Sequence, residues 1–131
     1  MATEILVNDG GAPARILPFT ASAAVNAGYV VEMHTDSKVR QDQGAASKKT
    51  VGFAFTDAAA DGPASIITGK GVLLNLAVTG TCTVGGTLIV DAAGATQYGV
   101  LKAGTTAGCI VAQSLEVGTG TGIRLVKCLT M

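Results

Sequence analysis

Apolar residues along this chain come in short bursts, separated by stretches of Gly, Thr, Ala and Asp. The bursts read "EILV", "ARILPF", "GYVVEM", "KVRQ", "VGFAFT", "SIITG", "GVLLNLAV", "TLIVD", "QYGVL", "GCIVAQ" and "GIRLVKCLT". Each has strand length, many carry β-branched residues, and all fall short of the length a core-facing helix needs. The separators "TGTCTVGGT", "AGTTAG" and "VGTGTG" are turn chemistry, because Gly supplies positive φ and Thr favours extended backbone. Short strands with regular turns predict an all-β fold, a small β-sandwich or β-barrel. Only "TASAAV" and "DAAAD" have helical composition, enough for a turn or two each.

The pattern also repeats. Val25–Glu32, "VNAGYVVE", aligns without gaps on Val84–Asp91, "VGGTLIVD", each a Gly-containing turn followed by a hydrophobic strand that ends in an acid. In that register "HTDS" falls on "AGAT" and Val39 on Tyr98; after a short slip, "VGFAFTDAAADG" matches "AGCIVAQSLEVG". This predicts two pseudo-repeated halves, 25–78 and 84–131, inside one β domain over 20–131. Residues 1–19 stand apart, with Pro13 and Pro18 around an apolar segment. Pro removes a ladder donor and fits edges, so the segment is expected to be an extended N-terminal arm plus an edge strand, open to a partner.

At 131 residues and 13.0 kDa the chain has the size of one small domain. Hydrophobic residues make up 48%, yet aromatics only 4% and Trp is absent, so the core must be thin layers of Val, Ile, Leu and Ala. Charged residues balance to zero, which argues against the basic footprint of a nucleic-acid binder and leaves little repulsion between copies. No apolar run reaches the roughly 18–20 residues of a membrane helix. "MATEILVNDG" lacks the charged and apolar regions of a secretion signal, and Cys82, Cys109 and Cys128 form no CxxC. The expectation is a soluble chain made in a reducing cytoplasm, its thiols free and mostly buried.

Candidate chemistry is sparse. "GKG" at Gly69–Gly71 suggests a phosphate loop, but Gly62 lies too far upstream, Gly71 stands where Ser or Thr must hold Mg²⁺, and a strand-like run follows where a helix is needed. A turn or bulge is expected there instead. His34 is the only histidine, near Glu32 and Asp36; a metal wants three or four convergent ligands, and no local device supports a triad with Ser22, Ser47 or Ser65. Cys109 and Cys128 sit in apolar runs and read as small buried hydrophobes. Lys38, Arg40, Lys48 and Lys49 alternate with Asp36 and Asp42 without aromatics, which reads as a solvated loop. No catalytic residue, cofactor, metal or small-molecule substrate is expected, and the chain is expected to work by contact.

"AVNAGYVVEMHTDSKVRQ" followed by "VGFAFTDAAADGPASIITGKGVLL" resembles the phage capsid cement, or decoration, family. The resemblance rests on Gly28 to Glu32, Val51 to Ala54, Asp57 to Gly62, Ser65 to Thr68 and Gly71 to Leu74, and spans residues 20–78, more loosely the C-terminus. It implies a structural virion protein on the outer surface of an assembled phage head, synthesised in the host cytoplasm. Its partner would be the major capsid protein, and it would act as a homo-oligomer, a trimer or dimer. An arm pairing with a capsid strand edge would use Ile5, Leu6 and Val7 and then Arg15, Ile16, Leu17, Pro18 and Phe19. The alternative is a non-catalytic β binding module of a virion fibre, spike or adhesin.

Overall fold

A computed structural model describes residues 5–8, 15–44, 49–91, 98–105 and 109–131. Among them every element is a strand: β1 (Leu6–Asn8), β2 (Arg15–Ala21), β3 (Val30–Thr35), β4 (Lys38–Gln41), β5 (Thr50–Ala54), β6 (Pro63–Thr68), β7 (Leu73–Val78), β8 (Thr87–Val90), β9 (Leu101–Ala103), β10 (Ile110–Ser114) and β11 (Arg124–Thr130). The all-β expectation holds. The two short helices do not form: Ala21 ends β2, and Val25 and Ala58 instead exchange two backbone hydrogen bonds of 2.9 Å. Pairing one segment with the other satisfies more backbone groups than a single isolated helical turn can.

Strands β2 to β6 close a barrel in the order β2-β4-β3-β5-β6, antiparallel throughout except for the parallel β2–β4 contact. Strands β7 to β11 repeat that topology. β7 pairs antiparallel with β11 and parallel with β9, β9 with β8, β8 with β10, and β10 with β11. The equivalence reaches single hydrogen bonds. Gly28 N donates to Ala54 O at 2.9 Å and Gly85 N to Ser114 O at 2.8 Å; Ser22 N donates to Val39 O at 2.8 Å and Thr79 N to Leu101 O at 2.9 Å.

These bonds correct the register of the repeat. Val25 corresponds to Cys82, each the partner in an isolated bridge, and Gly28 to Gly85, with φ of 83° and 79°. The sequence alignment placed Val25 on Val84, two residues away. A slip of two keeps every side chain on the same face of its strand, so alternation alone does not detect it. The strand units run over 15–68 and 73–130, and β2 crosses the boundary that composition suggested at residue 19.

Alternation along β3, β5 and β6 builds two apolar rows. Val31, Ala54 and Ile66 face into the first barrel with Ala21, Val25, Val39 and Ala64. Val30, Phe53 and Ile67 face the other way and join the second-half core of Leu74, Leu76, Val78, Leu88, Leu101 and Val126. The halves are also stitched by backbone: Ala77 N donates to Gly28 O and Val30 N to Gly99 O, both at 2.9 Å. Gly28 packs here closely, since a Cβ would lie 2.9 Å from Leu125 Cδ2 and 3.2 Å from Asn75 O.

Candidate partner-binding surfaces

The residues expected to make partner contacts separate into two groups. Ile5 is 2% exposed, its carbonyl accepts from Asn75 N at 2.7 Å, and its side chain belongs to the second-half core. As a contact for a partner it is corrected: burying it inside the chain's own core is what holds β1 in place. Leu6 and Val7 lie in β1, whose backbone pairs antiparallel with β7 at Leu73 and Leu74. On β2, Arg15 and Pro18 are exposed, Phe19 packs against the first-half core, and Ile16 and Leu17 are 47% and 36% exposed.

The contrast between β2 and β7 has a local cause. β11 runs along one edge of β7, and β1 and β9 share the other. β6 likewise runs along one edge of β2, and β4 covers only Thr20 and Ala21 on the other. Thr20 N points to that second edge, donating to Ser37 O at 3.5 Å, so Pro18 and Ile16 face it too. Pro18 occupies the place of Asn75, the residue whose N–H binds β1. Pro has no N–H to offer, so β2 keeps an edge that a neighbouring strand cannot fully use, a common guard against unwanted pairing. Leu74 is fully buried under β1 while Leu17, its counterpart, is exposed.

A second surface is not among the residues singled out from sequence. Val84 and Val117 are 66% and 65% exposed at the tip of the second half. They stand at the positions of Ala27 and Asp57, which are adjacent in the first half through Ala27 N donating to Asp57 Oδ1 at 2.7 Å. Between the halves runs a groove of about 500 Å³, lined by Ile5, Tyr29, Asp57, Ile123 and Leu125 among others. Arg124 ties its rim, donating to Gly122 O at 3.1 Å and to Gly80 O.

The candidate chemistry resolves into structure. "GKG" forms the β6–β7 loop as expected, with Gly71 at φ 73° and its N–H donating to Thr130 O at 2.9 Å. Ser22 and His34 do meet, Oγ to Nδ1 at 2.9 Å, on the exposed surface. Ser22 Oγ also reaches Val39 O at 3.3 Å, and no carboxylate bonds to the ring among the described residues. The basic stretch is not a loop. Lys38 and Arg40 lie in β4 and pair with Asp61 and Glu32 at 3.3 and 3.1 Å, Lys49 is exposed, and Lys48 falls outside the described residues. Asp42 is buried and accepts from Gly44 N and Thr50 Oγ1. Cys82 and Cys128 are buried and Cys109 only half-buried, which amends the expectation for that residue; none is in a disulfide. Burial foremost, then the neighbouring Cys82 and Glu116, push the Cys128 thiol up to about 12. Among the described residues no group of three or more His, Cys, Asp or Glu is placed to hold a metal.

No family model matches this sequence, and no curated protein does. Among solved structures, the chain is similar in fold to the N base of the head fiber gp8.5 of bacteriophage phi29. The TM-score is 0.69 at 11% sequence identity, over 91% of this chain and 95% of that one.

Proposed function

We propose that this chain is a structural virion protein that binds the outer surface of an assembled phage head and stabilises it, in the manner of a cement or decoration protein. One observation carries the reading: the fold likeness to a phage head fiber base extends over nearly the whole of both chains. The surfaces fit work by contact. The exposed apolar side chains Ile16 and Leu17 of β2 sit beside a strand edge that β4 covers only at Thr20 and Ala21, and they suit contact with a capsid surface through side chains. Each copy buries a modest area, and many copies on a lattice add their binding energies to the work of separating capsomers.

A second reading is favoured by the same comparison, since the similar protein is the base of a fiber. In that case the chain anchors a projecting structure without bracing the shell. Purified heads of the parent phage made without this chain, then incubated with it, distinguish the two. Cement function predicts saturable co-sedimentation and a higher rupture temperature of filled heads. A fiber base predicts co-sedimentation with unchanged rupture. Failure to co-sediment under any condition sinks both. Deleting residues 2–19 as an arm would remove most of β2 from a closed barrel and would test folding along with binding. Ile16→Asp with Leu17→Ser leaves the strand in place and should cut head binding about tenfold or more.

A further inference from the structure

The contact between the two halves is heterologous: the tip of the first half packs through Gly28 against the β7–β11 wall of the second, and Ala27 and Asp57 line the groove beside that contact. Because the halves share one topology, the chain carries a second tip and a second wall, and among the described residues no element packs over either. The second tip is Val84, Gly85 and Val117. The second wall is β2 and β6, where Pro18, Thr20 and Pro63 stand at the places of Asn75, Ala77 and Leu125. We propose that a second copy of this chain docks there head to tail, its second-half tip on the first-half wall of its neighbour, repeating between copies the contact that joins the halves within one.

Three observations converge on this occupant. Among the described residues the exposed large apolar side chains are Ile16, Leu17, Val84, Val117, Ile123 and Met131; Val84 and Val117 fall on the open tip, and Ile16 shares the open wall face with Pro18 and Thr20. Solvent-exposed apolar side chains at two complementary places on one molecule mark association sites. Gly28 and Gly85 share a turn and a φ, yet Gly28 is packed against Leu125, Asn75 and Ile5 whereas Gly85 has only Gln113 Nε2 within 4 Å, at 3.9 Å. The backbone groups match as well. Inside the chain Gly28 O accepts from Ala77 N; at the open sites Gly85 O is held by Gln113 Nε2 at 3.0 Å, and Thr20 N makes only a 3.5 Å bond to Ser37 O. Both are placed to exchange these partners for each other.

The contact between copies is more polar than the internal one, because Thr87 and Gln113 replace Val30 and Phe53 beside the tip. That is the composition of a surface that is wetted before assembly. A heterologous contact of this kind closes into a ring when the rotation it imposes closes, and otherwise extends. This inference does not rest on binding to a phage head, and it is tested without one.

The test is sedimentation of the full chain from the micromolar to the millimolar range, with light scattering to give mass. The expected result is concentration-dependent association of the native chain. A tip variant, Val84→Asp with Val117→Asp, and a wall variant, Ile16→Asp, should each weaken it about tenfold or more. Thermal unfolding should be unchanged in both, because the substituted side chains are exposed. If an aspartate variant fails to fold, serine at the same positions serves. The decisive arm mixes the two variants: one intact wall and one intact tip give a one-to-one dimer that grows no further. A native chain monomeric at every concentration overturns the proposal. So does association that survives either variant, or a mixture that stays apart, which is the signature of a symmetric interface instead.

Discussion

In the first half the barrel is filled by Ala21, Val25, Val31, Val39, Ala54, Ala64 and Ile66. At the same places the second half has Val78, Cys82, Leu88, Leu101, Ser114, Val126 and Cys128, and it adds Ile5 from β1. The hydrogen-bond frame is shared, so closing the barrel does not depend on one set of core side chains. What differs is volume and support. The second half carries larger residues at Leu88, Leu101 and Val126, and it receives a strand on its β7 edge. The first half has the smaller core and an uncovered β2, and it leans on its neighbour through Val30, Phe53 and Ile67. The second half therefore acts as the anchor and the first as the dependent partner.

Phe53 tests that dependence most severely, because it is the largest buried side chain that the first half contributes to the row shared between the halves. Phe53→Ala should cost about 3–5 kcal/mol, the usual range for emptying a buried aromatic site. Gln113→Ala, at the equivalent place on the outer surface of the second half, should cost less than about 0.5 kcal/mol. Urea denaturation of both reads the difference directly; equal effects would mean that the halves do not lean on each other through this row.

The next contrast concerns the β7 and β2 edges. Ile5→Ala should destabilise the chain by about 2–4 kcal/mol, since it empties a core site and loosens β1. Leu17→Ala, at the uncovered counterpart of Leu74, should cost under about 1 kcal/mol. Amide exchange adds a local readout: Asn75 N–H, bonded to Ile5 O, should lose protection in Ile5→Ala beyond what global destabilisation explains. Unchanged relative protection would mean that β1 is held by its backbone alone.

A third pair of variants separates backbone strain from packing. Gly28 and Gly85 both have positive φ, so Ala at either carries a strain of about 1 kcal/mol. Only at Gly28 does the added Cβ also press on Leu125 and the Asn75 carbonyl. Gly28→Ala should therefore cost about 2–3 kcal/mol and Gly85→Ala about 1 kcal/mol. Similar midpoints for the two in thermal unfolding would contradict the packing of the first-half tip.

Much of the frame was legible in the sequence, because strand alternation and Gly-rich turns are local signals. Every apolar burst overlaps a strand, although "QYGVL" does so only at Leu101. Tyr98 and Gly99 lie before β9 because they bond across to the first half, Tyr98 O accepting from Gln41 Nε2 and Gly99 N donating to Asp42 O. That is a tertiary effect with no local trace. Pro18 announced an edge for a physical reason, its missing N–H, and the edge is where β2 lies open. The tip did not announce itself: Val84 and Val117 look like any strand or core valine. Their meaning comes from standing where Ala27 and Asp57 stand, and that correspondence was hidden by a slip of two residues that alternation cannot resolve. Ile5 was misplaced because an apolar triplet in an arm and one on a core-covering strand have the same composition.

A last effect follows from where the cysteines lie. All three are in the second half, and Cys128 is the one whose burial raises its thiol from 9.0 to about 12. In the unfolded chain that thiol ionises near its ordinary value, while the folded core keeps it protonated. Below pH 9 its contribution to stability is complete; as pH climbs from 9 toward 12 the unfolded state loses its proton first and the contribution is lost. Stability should therefore fall with alkalinity more steeply in the native chain than in Cys128→Val, a near-isosteric replacement that titrates nothing. Denaturation midpoints between about pH 8 and about pH 11 measure the two slopes. Probes in each half sharpen the comparison. If the second half is the anchor, the first half must lose its structure in the same transition, although it contains no thiol to titrate. A first half that stayed folded while the second melted at high pH would reverse the assignment of anchor and dependent.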